Sequence, residues 1–170
     1  MKPSPFEYAR PSSLDEALGL LVSSNGNASI LAGGQSLMPT LNMRLSSPSL
    51  LIDINDLAEL DGIKVAGGSL RIGALTRHSS VEDSKDVARH APLITMAMPH
   101  IAHPAIRNRG TFGGSIALAD PAAELPACLC ALNADIEIAN TNGRRKIAAS
   151  DFFKDLYETD LADDELLTAV

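Results

Sequence analysis

Ala28-Ser29-Ile30-Leu31-Ala32-Gly33-Gly34-Gln35-Ser36 decides how the first third of this chain folds. A short apolar run leads straight into a diglycine, the pattern of a buried strand entering a tight loop. The loop opens into Leu37 to Leu45, which reads as a short helix, and a second strand candidate, Leu50 to Ile54, follows the Ser46-Ser47-Pro48 break. Strand, helix-like crossover and strand predict a small parallel α/β unit. Upstream, Ser13-Leu14-Asp15-Glu16 matches a capping box, and Leu14, Ala17, Leu18, Leu21 and Val22 then recur with helical spacing until Asn25-Gly26-Asn27.

Beyond this unit the pattern changes. Ile63-Lys64-Val65 and Leu70-Arg71-Ile72 flank Gly67-Gly68 as a hairpin would, which an all-parallel sheet does not predict. Ser79-Ser80-Val81-Glu82 is a second capping-box match, and the segment from there to His100 reads as helix interrupted near Pro92. Asp120-Pro121 has the form of a helix cap and first turn, with Ala122 to Leu132 as the helix. Asp135 to Ala139 and Arg144 to Ala148 make a hairpin about Asn142-Gly143, and the acidic tail finishes like the beginning of a strand. The expected fold class is α+β, with an N-terminal lobe over 1–57 and a second lobe over 58–170.

Composition narrows the function classes. The chain has 170 residues, 45% hydrophobic and 21% charged, which is ordinary globular usage with room for one bilobal domain. A net charge of -7, with Arg144-Arg145-Lys146 as the only basic cluster, argues against a nucleic-acid partner. That cluster reads as a solvated strand edge. Cys128 and Cys130 lie two apart in a helix and point in different directions, so they predict neither a disulfide nor an iron–sulfur centre. His78, His90, His100 and His103 lack metal-ligand spacing, and no metal site is expected. The sequence shows no apolar leader and no apolar run of roughly 20 residues, so the expected setting is the cytoplasm, without a membrane span.

Two stretches could carry chemistry, Ala32-Gly33-Gly34-Gln35-Ser36 and Thr111-Phe112-Gly113-Gly114-Ser115. A pyrophosphate can be bound without many Lys or Arg side chains by a ring of backbone N–H donors, and glycine permits the close approach this needs. Each diglycine is followed by a small hydroxyl residue able to add a donor. A diglycine also serves as an ordinary turn or close packing point, and both readings stand. Gly-x-Gly-x-x-Gly and Gly-Lys-Ser/Thr are absent, which removes the common phosphate motifs. No nucleophile elbow is present, and no protein acid, base or nucleophile is expected to be catalytic.

Taken in order with Asp120-Pro121-Ala122-Ala123-Glu124-Leu125-Pro126, these loops resemble the FAD-binding medium subunit of molybdenum hydroxylases, a family that includes carbon monoxide and xanthine dehydrogenases. Tyr8-Ala9-Arg10-Pro11, Ile72-Gly73-Ala74-Leu75-Thr76 and Asp164-Glu165-Leu166-Leu167 extend the similarity over essentially the whole chain. The resemblance implies the two-lobed FAD-binding fold of the vanillyl-alcohol-oxidase (PCMH) type. It also implies that backbone donors of Ala32 to Ser36 and of Thr111 to Ser115 embrace the pyrophosphate. Glu124 falls where the family carries an acidic residue that hydrogen-bonds the cofactor, and Ile101 where an apolar or aromatic side chain covers part of it. A helix-start carboxylate and a core residue are the simpler readings of these two.

The same resemblance implies an oxidoreductase in which FAD on this chain relays electrons from 2Fe-2S clusters on a small subunit to an acceptor. Substrate oxidation then belongs to molybdopterin on a large subunit. The family normally continues for roughly another hundred residues, the size of a small domain, and its flavin-side aromatic residue lies there. A non-catalytic nucleotide-binding or assembly module and a free-standing flavin reductase are the alternatives.

Overall fold

The computed structural model describes residues 2–170 and mixes helix with sheet. Strands β1 (Glu7–Ala9), β2 (Ala28–Leu31) and β3 (Leu50–Asp53) form a parallel sheet with β3 in the centre. Helices α1 (Leu14–Ser24) and α2 (Leu37–Asn42) follow the first and second of them, so the expected parallel unit is present and gains a third strand. Ser13 Oγ accepts from the Glu16 N–H at 3.2 Å, while Glu16 reaches back to the N–H and hydroxyl of Ser12 at 2.7 and 2.9 Å. Leu14, Ala17, Leu18 and Leu21 are buried; Val22, expected on the same face, is 44% exposed. Asn25 ends α1 in the left-handed region, φ 47°.

The remainder is built on antiparallel pairing. Strands β4 (Ile63–Ala66) and β5 (Ser69–Ile72) form the hairpin read from Gly67-Gly68. Strands β6 (Asp135–Asn140) and β7 (Gly143–Ala148) form the second hairpin, and the tail strand, β10 (Leu166–Ala169), lies on the other side of β6. The free edge of β10 meets the end of β5: Ile72 N–H donates to Val170 O at 2.7 Å and Ala74 N–H to Thr168 O at 2.9 Å. Between β7 and β10 lie α9 (Ala149–Phe152) and a small pair, β8 (Phe153–Asp155) with β9 (Glu158–Thr159).

Two helical expectations need correction. The segment to His100 is three short helices, α3 (His78–Glu82), α4 (Lys85–His90) and α5 (Pro92–Ala97), then a 3-10 turn at Met98–His100. Ser79 lies inside α3; the serine that caps is Ser84, accepting from Val87 N–H at 3.3 Å, and Pro92 opens α5, where a missing N–H costs nothing. After α6 (Pro104–Arg107) and α7 (Phe112–Leu118) comes α8, which spans Glu124–Ala131 rather than starting at Pro121. Asp120 Oδ1 accepts from Ala122 N–H at 2.9 Å and Asp120 O from Ala123 N–H at 2.9 Å, so Asp120-Pro121 closes a turn before the helix. Cys128 is buried and Cys130 exposed on α8.

Two hydrophobic cores result. One joins Phe112, Ile116, Leu125, Leu129, Ile136 and Phe152, among others. The second gathers the inner face of α1 with Ile52, Ile54 and Leu57, and also takes Leu75, Ala139 and Leu166 from the antiparallel part. No helix among the described residues is long and apolar enough to cross a membrane.

Candidate functional site

The first diglycine loop leaves the carboxyl end of β2, where ligands of parallel sheets commonly sit. Gly34 takes φ +70°, a conformation that glycine adopts without strain, and turns the chain into α2. The backbone N–H groups of Gly33, Gly34, Gln35 and Ser36 have no acceptor among the described residues. Ser36 is exposed and its hydroxyl does not cap α2. Gln35 folds back, its Nε2 donating to Gly33 O at 2.8 Å, which braces the loop. The loop therefore presents a row of unpaired donors.

The second loop is spent internally. Phe112 N–H donates to Thr76 O at 2.8 Å, Gly113 N–H to Ala74 O at 2.9 Å, Gly114 N–H to Thr111 Oγ1 at 3.2 Å and Ser115 N–H to Thr111 O at 3.2 Å. Phe112 is fully buried, and a Cβ on Gly113 would stand 2.6–2.9 Å from atoms of Ala74. Thr111 and Gly113 are buried too, whereas Gly114 is exposed and Ser115 half-buried. Backbone donors are thus open in the first loop from Gly33 to Ser36 and taken in the second from Phe112 to Ser115, which offers surface and the Ser115 hydroxyl. Gly33 and Gly113 are the close packing points that the simpler reading anticipated, since a Cβ on Gly33 would overlap Arg109 O and Gly110 Cα.

That overlap shows that the first loop touches the residues entering the second. A polar network spans the same junction. Asn55 Nδ2 donates to Ala32 O at 2.9 Å and to Asp53 Oδ1 at 2.7 Å, and its Oδ1 accepts from Arg77 Nη2 at 2.7 Å. Arg77 Nη1 donates to Arg109 O. Tyr8 OH donates to Asp53 Oδ2 at 2.5 Å. Burial works to raise the Asp53 pKa, but hydrogen bonds from Tyr8 and Asn55, with Arg10 nearby, outweigh it and hold the carboxyl below its usual value. Apart from Tyr8, these groups, with Arg10, Asn108 and Gly33, wall a polar cleft of about 410 Å³. Sequence reading missed Asn55 and Arg77; the available signal was Asn55's place just past the carboxyl end of a parallel strand.

Glu124 is the first residue of α8, half-buried, with no hydrogen-bonded partner among the described residues. Ile101 follows the 3-10 turn, half-buried and packed against the larger core. It is held there by Arg107, buried beneath it, whose Nη1 donates to Ile101 O at 3.0 Å and Ala102 O at 3.2 Å while its Nε and Nη2 clasp the Glu82 carboxylate. Two residues of the basic cluster on β7 are ion-paired: Arg145 with Glu165 at 2.6 Å and Asp160 at 2.9 Å, Lys146 with Glu137 at 2.9 Å.

The family model described as "FAD binding domain in molybdopterin dehydrogenase" matches residues 4–170. The chain belongs to this family. This FAD-binding domain is 44% identical over its whole length to the nicotine 6-hydroxylase medium subunit of Paenarthrobacter nicotinovorans, covering 60% of that protein. It is 40% identical to the carbon monoxide dehydrogenase medium chain of Hydrogenophaga pseudoflava, covering 59% of it. The solved carbon monoxide dehydrogenase of Hydrogenophaga pseudoflava superposes with a TM-score of 0.97 at 41% identity, over 99% of this chain and 59% of that one. Quinoline 2-oxidoreductase from Pseudomonas putida 86 gives 0.96 at 41% identity over the same shares. The domain thus spans about three-fifths of the relatives it matches. The donors unpaired at Gly33 to Ser36 fit the phosphates of such a dinucleotide.

Proposed function

We propose that this domain holds FAD in the medium subunit of a molybdenum-hydroxylase-type oxidoreductase, where electrons arrive from 2Fe-2S clusters on a small subunit and leave to an acceptor. The observation that carries the proposal is the first loop: unpaired N–H groups at Gly33, Gly34, Gln35 and Ser36 on a left-handed turn, in a chain of this family. FAD supplies the electron-transfer chemistry; the protein binds and orients it. Ala32 to Ser36 face the pyrophosphate through backbone donors. Gly114 and Ser115 close it from the other side, with Thr111, Phe112 and Gly113 shaping that wall. Glu124 accepts a hydrogen bond from the cofactor, and Ile101 covers part of it.

The fold proposed is the PCMH type, with lobes over 1–57 and 58–170; the parallel sheet in the first range and the antiparallel pairing in the second support this division. A large molybdopterin subunit and the small iron–sulfur subunit are the proposed partners, in keeping with the medium-subunit and medium-chain names of the relatives. Two free cysteines, one exposed, suit a reducing cytoplasm.

A visible absorption spectrum of the purified chain, before and after FAD is supplied, tests the proposal. The expected result is a bound-flavin spectrum, with iron–sulfur and molybdopterin polypeptides recovered on pull-down. A chain that takes up no FAD contradicts it, and pyridine-nucleotide oxidation by the flavin-loaded chain alone supports the free-standing reductase.

A further inference from the structure

We infer that Asn55 and Arg77 are positioning residues, a two-part strut that sets the spacing between the two glycine loops and thereby the geometry of the FAD site. The inference rests on the FAD reading above. The strut runs from Ala32 O, in the first loop, through the Asn55 amide and the Arg77 guanidinium to Arg109 O, immediately ahead of the second loop. Each link joins a different element: Asn55 follows β3, Arg77 precedes α3, and Arg109 follows α6. Gly33 already stands at contact distance from Arg109, so the loops cannot move closer. The strut opposes their moving apart.

The strut's chemistry is specific. Asn55 must donate on one side and accept on the other, and Asp53, accepting from both the Asn55 N–H at 3.0 Å and its side chain, fixes which way the amide points. Arg77 must deliver two donors in fixed directions, one to an amide oxygen and one to a carbonyl, which a planar guanidinium does and a lysine ammonium does not. Both residues line the cleft and belong to neither hydrophobic core, so their loss leaves the packing of both lobes in place. A group that set only stability would be expected in those cores.

The test measures FAD affinity by fluorescence titration of the full chain, beside the thermal midpoint of the flavin-free chain and the visible circular dichroism of the bound flavin. Asn55→Ala and Arg77→Ala are each expected to weaken FAD binding about ten-fold or more, equivalent to about 1.4 kcal/mol. Both should alter the flavin dichroism, with a much smaller change in the flavin-free midpoint. The double variant should bind little worse than the weaker single, because one strut is cut either way. Arg77→Lys should not restore binding. Wild-type affinity in the alanine variants, multiplying effects in the double, or an affinity loss that merely follows lost stability overturns the strut. Rescue by Arg77→Lys also overturns it, because charge alone would then suffice. In each of these cases the unaltered chain still binds FAD and that reading stands; an unaltered chain that binds no FAD overturns both.

Discussion

The two diglycine loops look alike in sequence and differ in what they leave free. After β2 the backbone turns left-handed at Gly34 and the N–H groups from Gly33 to Ser36 find no acceptor among the described residues. At Thr111 to Ser115 the chain enters α7 at once, and every N–H from Phe112 onward is taken by Thr76, Ala74 or Thr111. One loop is a set of open donors held on a polar network; the other is a finished piece of core with one exposed glycine. A glycine pair therefore signals close approach to the protein itself in both places, through Gly33 and Gly113, and only the first leaves its backbone donors open.

The strongest way to break this contrast is to add a side chain at one glycine of each pair, Gly113 in the second loop and Gly34 in the first. Gly113→Val forces a branched side chain into Ala74, 2.6–2.9 Å from where its Cβ would stand, and overpacking of this kind costs about 1–3 kcal/mol or more. It should lower the thermal midpoint of the flavin-free chain sharply. Gly34→Ala meets only side-chain atoms, Leu31 Cδ1 at 3.2 Å and Met38 Cγ at 3.3 Å, and a left-handed strain of about 1–2 kcal/mol. Its main effect should be on FAD retention, with a milder loss of stability. Calorimetry and flavin titration on both variants check this; equal stability losses would erase the distinction between the loops.

The fold was legible where one local rule governed. The β2–α2–β3 unit, both hairpins and the tail strand follow from apolar runs and glycine turns. Reading failed where tertiary bonds overruled local signals: Ser79 satisfies the capping pattern, yet α3 starts at His78, pinned by His78 N–H donating to Gly110 O at 3.0 Å. Asp120-Pro121 resembles a helix start and forms a turn. At the candidate site, the glycines and hydroxyls were visible as residue types, but which N–H groups remain unpaired depends on Ala74 and Thr76, about forty residues upstream in sequence. The links that Asn55 and Arg77 make to Ala32 O and Arg109 O were hidden for the same reason, since backbone carbonyls carry no sequence mark; only the place of Asn55 just past β3 was legible.

Acid should separate the loops in a different way. The first rests on Asp53, whose pKa lies below its usual value and which stays charged until the carboxylate range. The second rests on His78, buried against Gly110, with no hydrogen-bonded partner at either ring nitrogen among the described residues. Burial is the main cause lowering its pKa from 6.5; the nearby Thr111 backbone opposes this and the Arg107 charge adds to it. Because the unfolded chain then binds the proton more readily, the contribution of His78 to stability is intact above pH 6.5 and is lost as pH falls from there through the folded value. His78→Leu should flatten the stability-versus-pH curve just below pH 6.5 while leaving stability at pH 8 equal or higher, because an unpartnered buried polar group is removed. Thermal melts across that window check it, and an unchanged slope in the variant would show that His78 does not govern the second loop.

The finest distinction concerns the two hydroxyls. With its backbone donors from Phe112 to Ser115 taken, the second loop offers the half-buried Ser115 hydroxyl, whereas Ser36 stands beside a row of free N–H groups that can compensate for it. A neutral hydrogen bond contributes about 0.5–1.5 kcal/mol net, so Ser115→Ala should weaken FAD binding by roughly two- to ten-fold. Ser36→Ala should weaken it less, although Ser36 is the more exposed residue and lies in the loop assigned the larger share of phosphate binding. Both effects should fall below that of Gly34→Ala, because deleting one donor leaves the cradle's shape intact while a side chain at Gly34 alters the backbone that orients all its donors. A larger loss from Ser36→Ala than from Ser115→Ala would mean that the free N–H groups do not face the cofactor, and the first loop would then act through its side chain.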